Sequence, residues 1–142
     1  MGITKLMDYD NIYAVDTFEE EYKKMFSNSR DYDFYHKKLT TNLAMLDTFN
    51  NIQSAIINMN FEHIENTENL YSIRHVSTLN PRVIFFCKAG ENTYILLNSF
   101  FERDKKDYRK AIKTAKSILS SLDIWEDVYQ YESWRFNKKC YS

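Results

Sequence analysis

Apolar and polar positions change period twice along the chain, and those changes outline its elements. Asn11–Asp16 (NIYAVD) alternates briefly and predicts a first strand. Thr17 follows as a helix N-cap, and Glu20, three residues on, completes a capping box. Phe18, Tyr22, Met25 and Phe26 recur at helical spacing until Ser27, Asn28 and Ser29 interrupt them. A second helix is expected from Asp31 or Asp33, with Tyr35, Leu39, Leu43 and Leu46 as its stripe. Asp47–Asn51 reads as a break or kink. Ile52, Ala55, Ile56 and Met59 then carry the helical period on for about two more turns.

The period changes at Phe61. Phe61–Ile64 reads as a short strand, Asn66–Asn69 as a polar turn, and Leu70–Val76 as a run of β-formers. Arg82–Cys87 (RVIFFC) is apolar enough to be buried on both faces. Pro81 stands before it, where a strand start tolerates a missing N–H. Lys88–Asn92, with Gly90, predicts a hairpin turn, and Thr93–Phe100 the returning strand. Asp104 or Asp107 is placed to cap a last helix. Its apolar stripe is Ala111, Ile112, Ala115, Ile118, Leu119 and Leu122. Beyond it, 123–142 is an aromatic extension in which Trp125, Val128, Tyr131 and Trp134 fit one helix face. The order is strand, helices, antiparallel meander, helix. It predicts an α+β domain over 1–122: a small antiparallel sheet of three or four strands plus the N-terminal one, helices on one face of it, the N-terminal helices among them, and a C-terminal helix.

Charge changes this picture more than composition does. The net charge of the 142 residues is −1, but residues 69–122 carry ten Lys and Arg against four Asp and Glu. The remainder carries nine against sixteen. A basic segment in an acidic whole can attract a polyanion locally, although a Lys-rich solvated helix face produces the same count. The two cysteines, Cys87 and Cys140, are too far apart for a paired metal or redox motif, and Cys87 sits in an apolar run as a buried thiol would. There is no signal-like N-terminus and no apolar run of membrane-spanning length, so the expectation is a cytoplasmic chain without a membrane partner. Three His, two isolated Cys and no HExxH pattern give no reason to expect a metal or cofactor.

Three stretches taken in order, FEHIENTENLYSIR, NPRVIFF and YILLNSFFERDKKDYRKAIKTA, resemble the RelE/HigB/ParE superfamily of type II toxin–antitoxin toxins. The resemblance runs in topology from about Asn11 to Leu122 and is most specific over Phe61–Lys116. It implies a RelE-like fold and a small ribonuclease that cleaves mRNA, in many members on the ribosome. It also implies a cognate antitoxin as partner and a toxin–antitoxin oligomer. Arg74 falls on the basic position of the first strand and Arg82 on the Arg of the next. Tyr108 falls near the helix Tyr that meets the substrate nucleotide, and Arg103 in the basic turn before that helix. Lys105, Lys106, Arg109 and Lys113 would then follow the RNA backbone.

Metal-independent cleavage uses the 2′-OH as nucleophile. It needs a base for that proton, cations for the charge developing on the phosphate, and an acid for the leaving 5′-oxygen. His63 is the candidate base, because strand alternation turns His75 to the face opposite Arg74. Two plainer readings stand beside this one. Arg74 and Arg82 are also placed to pair with Glu65 or Glu102, and Tyr108 to pack the start of its helix. A non-catalytic interaction protein on the same fold, binding a host factor, and a gyrase-directed toxin are the alternative functions.

Overall fold

β-branched and aromatic runs form the strands, and the computed structural model describes residues 2–88 and 90–122. Its elements run β1 (Ile3–Lys5), β2 (Ile12–Val15), α1 (Phe18–Lys24), α2 (Ser29–Thr48), α3 (Ile52–Ala55), β3 (Phe61–His63), β4 (Leu70–Arg74), β5 (Pro81–Phe86), β6 (Tyr94–Phe101) and α4 (Lys105–Ser121). The expected aromatic extension, 123–142, lies outside the described residues.

The α+β class is as expected, but the sheet is larger. Six strands pair in the order β1-β2-β6-β5-β4-β3. The extra strand, β1, lies antiparallel to β2, with Ile3 opposite Val15. The sheet is mixed rather than antiparallel throughout, because β2 runs parallel to β6, with Ile12 opposite Tyr94. All four residues of β2 are buried. Such a strand has no solvent face to pattern and takes its place from neighbours on both sides.

Cross-strand register sorts the side chains into two faces. Glu62 lies opposite Ser72, Arg74 opposite Arg82, and Arg82 opposite Phe100. Directly opposed residues share a face, so one line of polar groups crosses β3, β4 and β5. The alternate residues, Tyr71 opposite Phe85 and Ile73 opposite Val83, face the other way. That second face is covered by the N-terminal helices, where Phe26 meets Phe101 edge-on at 5.3 Å between ring centroids. α4 covers the first face instead: Asn98 Nδ2 donates to Ala111 O at 3.0 Å, and Tyr108 packs on Phe100. Helices therefore sit on both faces, not one. The amphipathic stripe of α4 requires burial but does not specify against which face.

Local chemistry accounts for most boundaries. Asn28, Asn51 and Asp104 cap α2, α3 and α4 by accepting from the backbone N–H three residues on. The capping box expected at Thr17 does not form: Thr17 has helical dihedrals and its side chain makes no capping bond. α3 is also a single turn rather than two. Ile52 and Ala55 are buried, but Ile57 and Met59 are exposed, so the helical period ends where the apolar stripe leaves the core. Gly90 turns between β5 and β6 at φ 82°, a conformation that costs glycine little.

Candidate active site

The line of polar groups on the α4 face centres on Arg82. Its strand places it among apolar neighbours, and only 8% of its surface is exposed. A buried guanidinium needs partners, and β3, β4, the turn after β6 and α4 each supply one. Nη1 lies 3.6 Å from Glu62 Oε1 and 3.4 Å from Ser72 Oγ. Nε forms an ion pair with Glu102 Oε2. Nε has no well-aligned hydrogen bond, so this contact is chiefly coulombic. The Tyr108 ring faces the guanidinium at 5.4 Å, within cation–π range.

Arg74 extends the network toward the sheet edge. Its Nη1 pairs with Glu62 Oε2 at 3.2 Å, and its Nε donates to Met59 O at 2.9 Å. Glu62 thus bridges the two arginines through its two oxygens. Glu102 is held in turn from behind. Asn80, left-handed at φ 51°, donates through Nδ2 to Glu102 O, and its own carbonyl accepts from the Glu102 N–H.

Beside this network lies a surface cleft of about 390 Å³, lined by Glu62, His63, Glu65, Arg82, Glu102, Lys105 and Tyr108. With Arg74 at its edge, three cations face three carboxylates, so the cleft is close to neutral. Burial, then the nearby Glu62, pushes the Tyr108 hydroxyl above its ordinary range, against the opposing pull of Arg82. Tyr108 is therefore a neutral phenol at physiological pH. It can stack or donate a proton bond, but it does not act as an anionic base.

Of the residues singled out from the sequence, the structure brings Arg74, Arg82 and Tyr108 together, with Lys105 on the cleft wall. Arg103 lies elsewhere, lining a separate cleft of about 570 Å³ between α1 and α4 over β6. Lys106, Arg109 and Lys113 are exposed on α4. His63 borders the Arg82 cleft, but its ring packs on Tyr71 at 5.1 Å, and its register partner Tyr71 belongs to the opposite face from Ser72 and Arg82. His75 packs against Phe34 and Tyr35, and burial, then Lys38, holds it below the usual imidazole range. The anticipated pair of Arg82 with Glu102 forms, while Arg74 takes Glu62 rather than Glu65. Glu62 is the residue that sequence reasoning passed over. The alternation that separates Arg74 from His75 also separates Glu62 from His63 and places Glu62 with the arginines.

Among the described residues no group of three or more His, Cys, Asp and Glu could hold a metal ion. No helix there is long and apolar enough to cross a membrane. Neither a protein-family model nor a curated protein matches this chain.

Proposed function

We propose that the chain is a metal-independent endoribonuclease toxin of the RelE/HigB/ParE type, cleaving mRNA and held in check by an antitoxin protein. One observation carries the reading. Two arginines, two carboxylates and a neutral tyrosine converge from three strands, the turn after β6 and a helix beside a cleft of about 390 Å³. That volume lies within the range of about 300–1,000 Å³ common to small-ligand sites, which supports a ligand the size of a nucleotide.

The chemistry follows from these groups. The carboxylate of Glu62, the more exposed of the two acidic partners, takes the 2′-OH proton as that oxygen attacks the adjacent phosphorus. Arg82 and Arg74 fork onto the phosphate oxygens as negative charge builds on them. Lys105, on the cleft wall, protonates the departing 5′-oxygen, and Tyr108 stacks on a base. The products are a 2′,3′-cyclic phosphate and a free 5′-OH. The charge on the phosphate is met by side chains, so cleavage is expected to survive a metal chelator. Expression in bacteria should arrest growth and cut messages, and Arg82→Ala should relieve both. Harmless expression with intact RNA would sink the reading.

The charge closure of the cleft favours a second reading, an interaction protein on the same scaffold. Arg82 is already neutralised by Glu62 and Glu102, and an incoming phosphate must displace a carboxylate to reach it. A stoichiometric protein complex that forms equally well with Arg82→Ala, together with no nuclease activity, would select this alternative.

A further inference from the structure

The site proposed above leaves one side of β6 unused. β2 pairs with β6 only at Tyr94, Ile95 and Leu96, whereas β5 follows β6 as far as Phe101. Among the described residues no strand pairs with β6 past Leu96 on the β2 side. Burial changes at the same place: residues 94–97 are buried and 98–101 are partly exposed. The Glu102 N–H donates to Asn80 O, so Phe100, two residues back, also turns its amide to β5. Backbone groups alternate in direction along a strand, so Ser99 and Phe101 turn theirs to the open side.

This open edge lines the cleft of about 570 Å³ to which Arg103 belongs. Met25 of α1 and the Phe101 ring stand on one wall, and Phe100 with Ala111 and Ile118 of α4 on the other. Helices on both sides leave room for a single extended chain rather than for the sheet of a second copy. Such an edge offers main-chain hydrogen bonds along its length, and its two apolar walls seat the alternating side chains of an added strand.

The chain itself supplies the occupant. α4 runs back along β6: Tyr108 packs on Phe100, Asn98 Nδ2 donates to Ala111 O, and Ile118 still lines the cleft. α4 ends at Ser121, so the chain leaves the helix about one turn from the cleft, and residues 123–142 follow. Five extended residues reach about 17 Å, enough to turn back to the edge. Residues 128–136, VYQYESWRF, then bring Val128, Tyr129, Tyr131, Trp134 and Phe136, all β-formers with apolar bodies for the two walls. Entering from the end of α4, this stretch would run parallel to β6 and in line with β2, with α4 as the crossover that parallel strands need. The connection from β2 to the parallel strand β4 crosses the opposite face in the opposite direction. The two crossovers therefore share one hand, as such connections almost always do. We infer that residues 128–136 of this chain add to the free edge of β6 and close the cleft between α1 and α4.

Residue-resolved amide hydrogen exchange on the full chain, at two protein concentrations, tests this. The amides of Ser99 and Phe101 should be protected to the level of Phe100, whose amide faces β5. Tyr131→Pro combined with Trp134→Asp, both beyond α4, should speed exchange at Ser99 and Phe101 about tenfold or more and leave Phe100 unchanged. Fast exchange of Ser99 and Phe101 in the parent chain would overturn the proposal. So would protection that survives the double variant, which means another cover, or protection that falls on dilution, which means a second copy at this edge. The spacing of Val128, Tyr131 and Trp134 also fits a helix, and helical carbon shifts across 128–136 in the same spectra would overturn the proposal as well. None of these readouts depends on RNA cleavage.

Discussion

Under the proposed function Arg82 has two roles that substitutions can separate. Arg82→Ala leaves Glu62 and Glu102 facing each other without their shared cation. Both carboxylates keep some access to water, so the stability cost should be about 1–3 kcal/mol in urea unfolding, below that of a fully buried pair. The loss of RNA cleavage should be larger, about 10²- to 10³-fold, as for removal of an oxyanion donor. Arg82→Lys keeps the charge but not the fork that reaches both carboxylates, so it should recover more stability than activity. Tyr108 gives a matching contrast. Phe at this position retains the ring under the guanidinium and should keep most activity, whereas Ala should not. A phenylalanine variant as inactive as alanine would show that the hydroxyl, rather than the ring, does the chemistry.

Cys87 offers a pH-dependent test at the same scale. Burial, then Glu91, pushes its thiol from an ordinary 9.0 up to about 12. Between those values the unfolded chain has released a proton that the native chain still holds. Its contribution to stability is therefore complete below pH 9 and is lost as pH rises toward 12. Cys87→Ala should flatten this part of the stability-versus-pH curve. The native thiol should also resist iodoacetamide until the chain unfolds.

At the scale of elements, the caps are the most direct test. Asp104→Ala removes the acceptor for the Asp107 N–H and should cost about 1 kcal/mol. Thr17→Ala removes no capping bond, so it should leave the start of α1 in place. No loss on Asp104→Ala, measured by urea unfolding, would contradict the assignment of the α4 cap. The comparison also marks what local sequence conveys. The meander was legible because Pro81, Gly90 and the apolar run between them act over a few residues. α2 was legible because its stripe persists over several turns. β1 was not, because ITK is three residues long and becomes a strand only by pairing Ile3 with Val15. The capping box at Thr17 met the sequence rule, yet the chain enters α1 already in helical dihedrals.

The described fold is organised by the parallel join of β2 to β6, which seats an N-terminal strand beside the first half of the meander's last strand. Amide exchange should consequently be slowest in β2, β5 and β6, and faster in the edge strands β1 and β3. Early exchange of β2 would mean that the join contributes little. Long-range assembly also decided how much of the site could be foreseen. Arg74 and Arg82 meet because one hairpin sets their register, which sequence conveys well. Tyr108 reaches Arg82 only because α4 packs on that face, and the resemblance supplied this expectation rather than periodicity. Arg103 is two residues from Lys105, yet it belongs to a different cleft, a separation that residue order does not reveal.

The proposed function requires that the Arg82 cleft cleave RNA. The most direct test is to incubate purified chain and its Arg82→Ala variant with message, free and on translating ribosomes, in the presence of a metal chelator, and to map the ends. The parent chain should leave 2′,3′-cyclic phosphate and 5′-OH ends, and the variant should lose about 10²- to 10³-fold in rate. Intact RNA with both proteins, or equal cleavage by both, would contradict the proposed function.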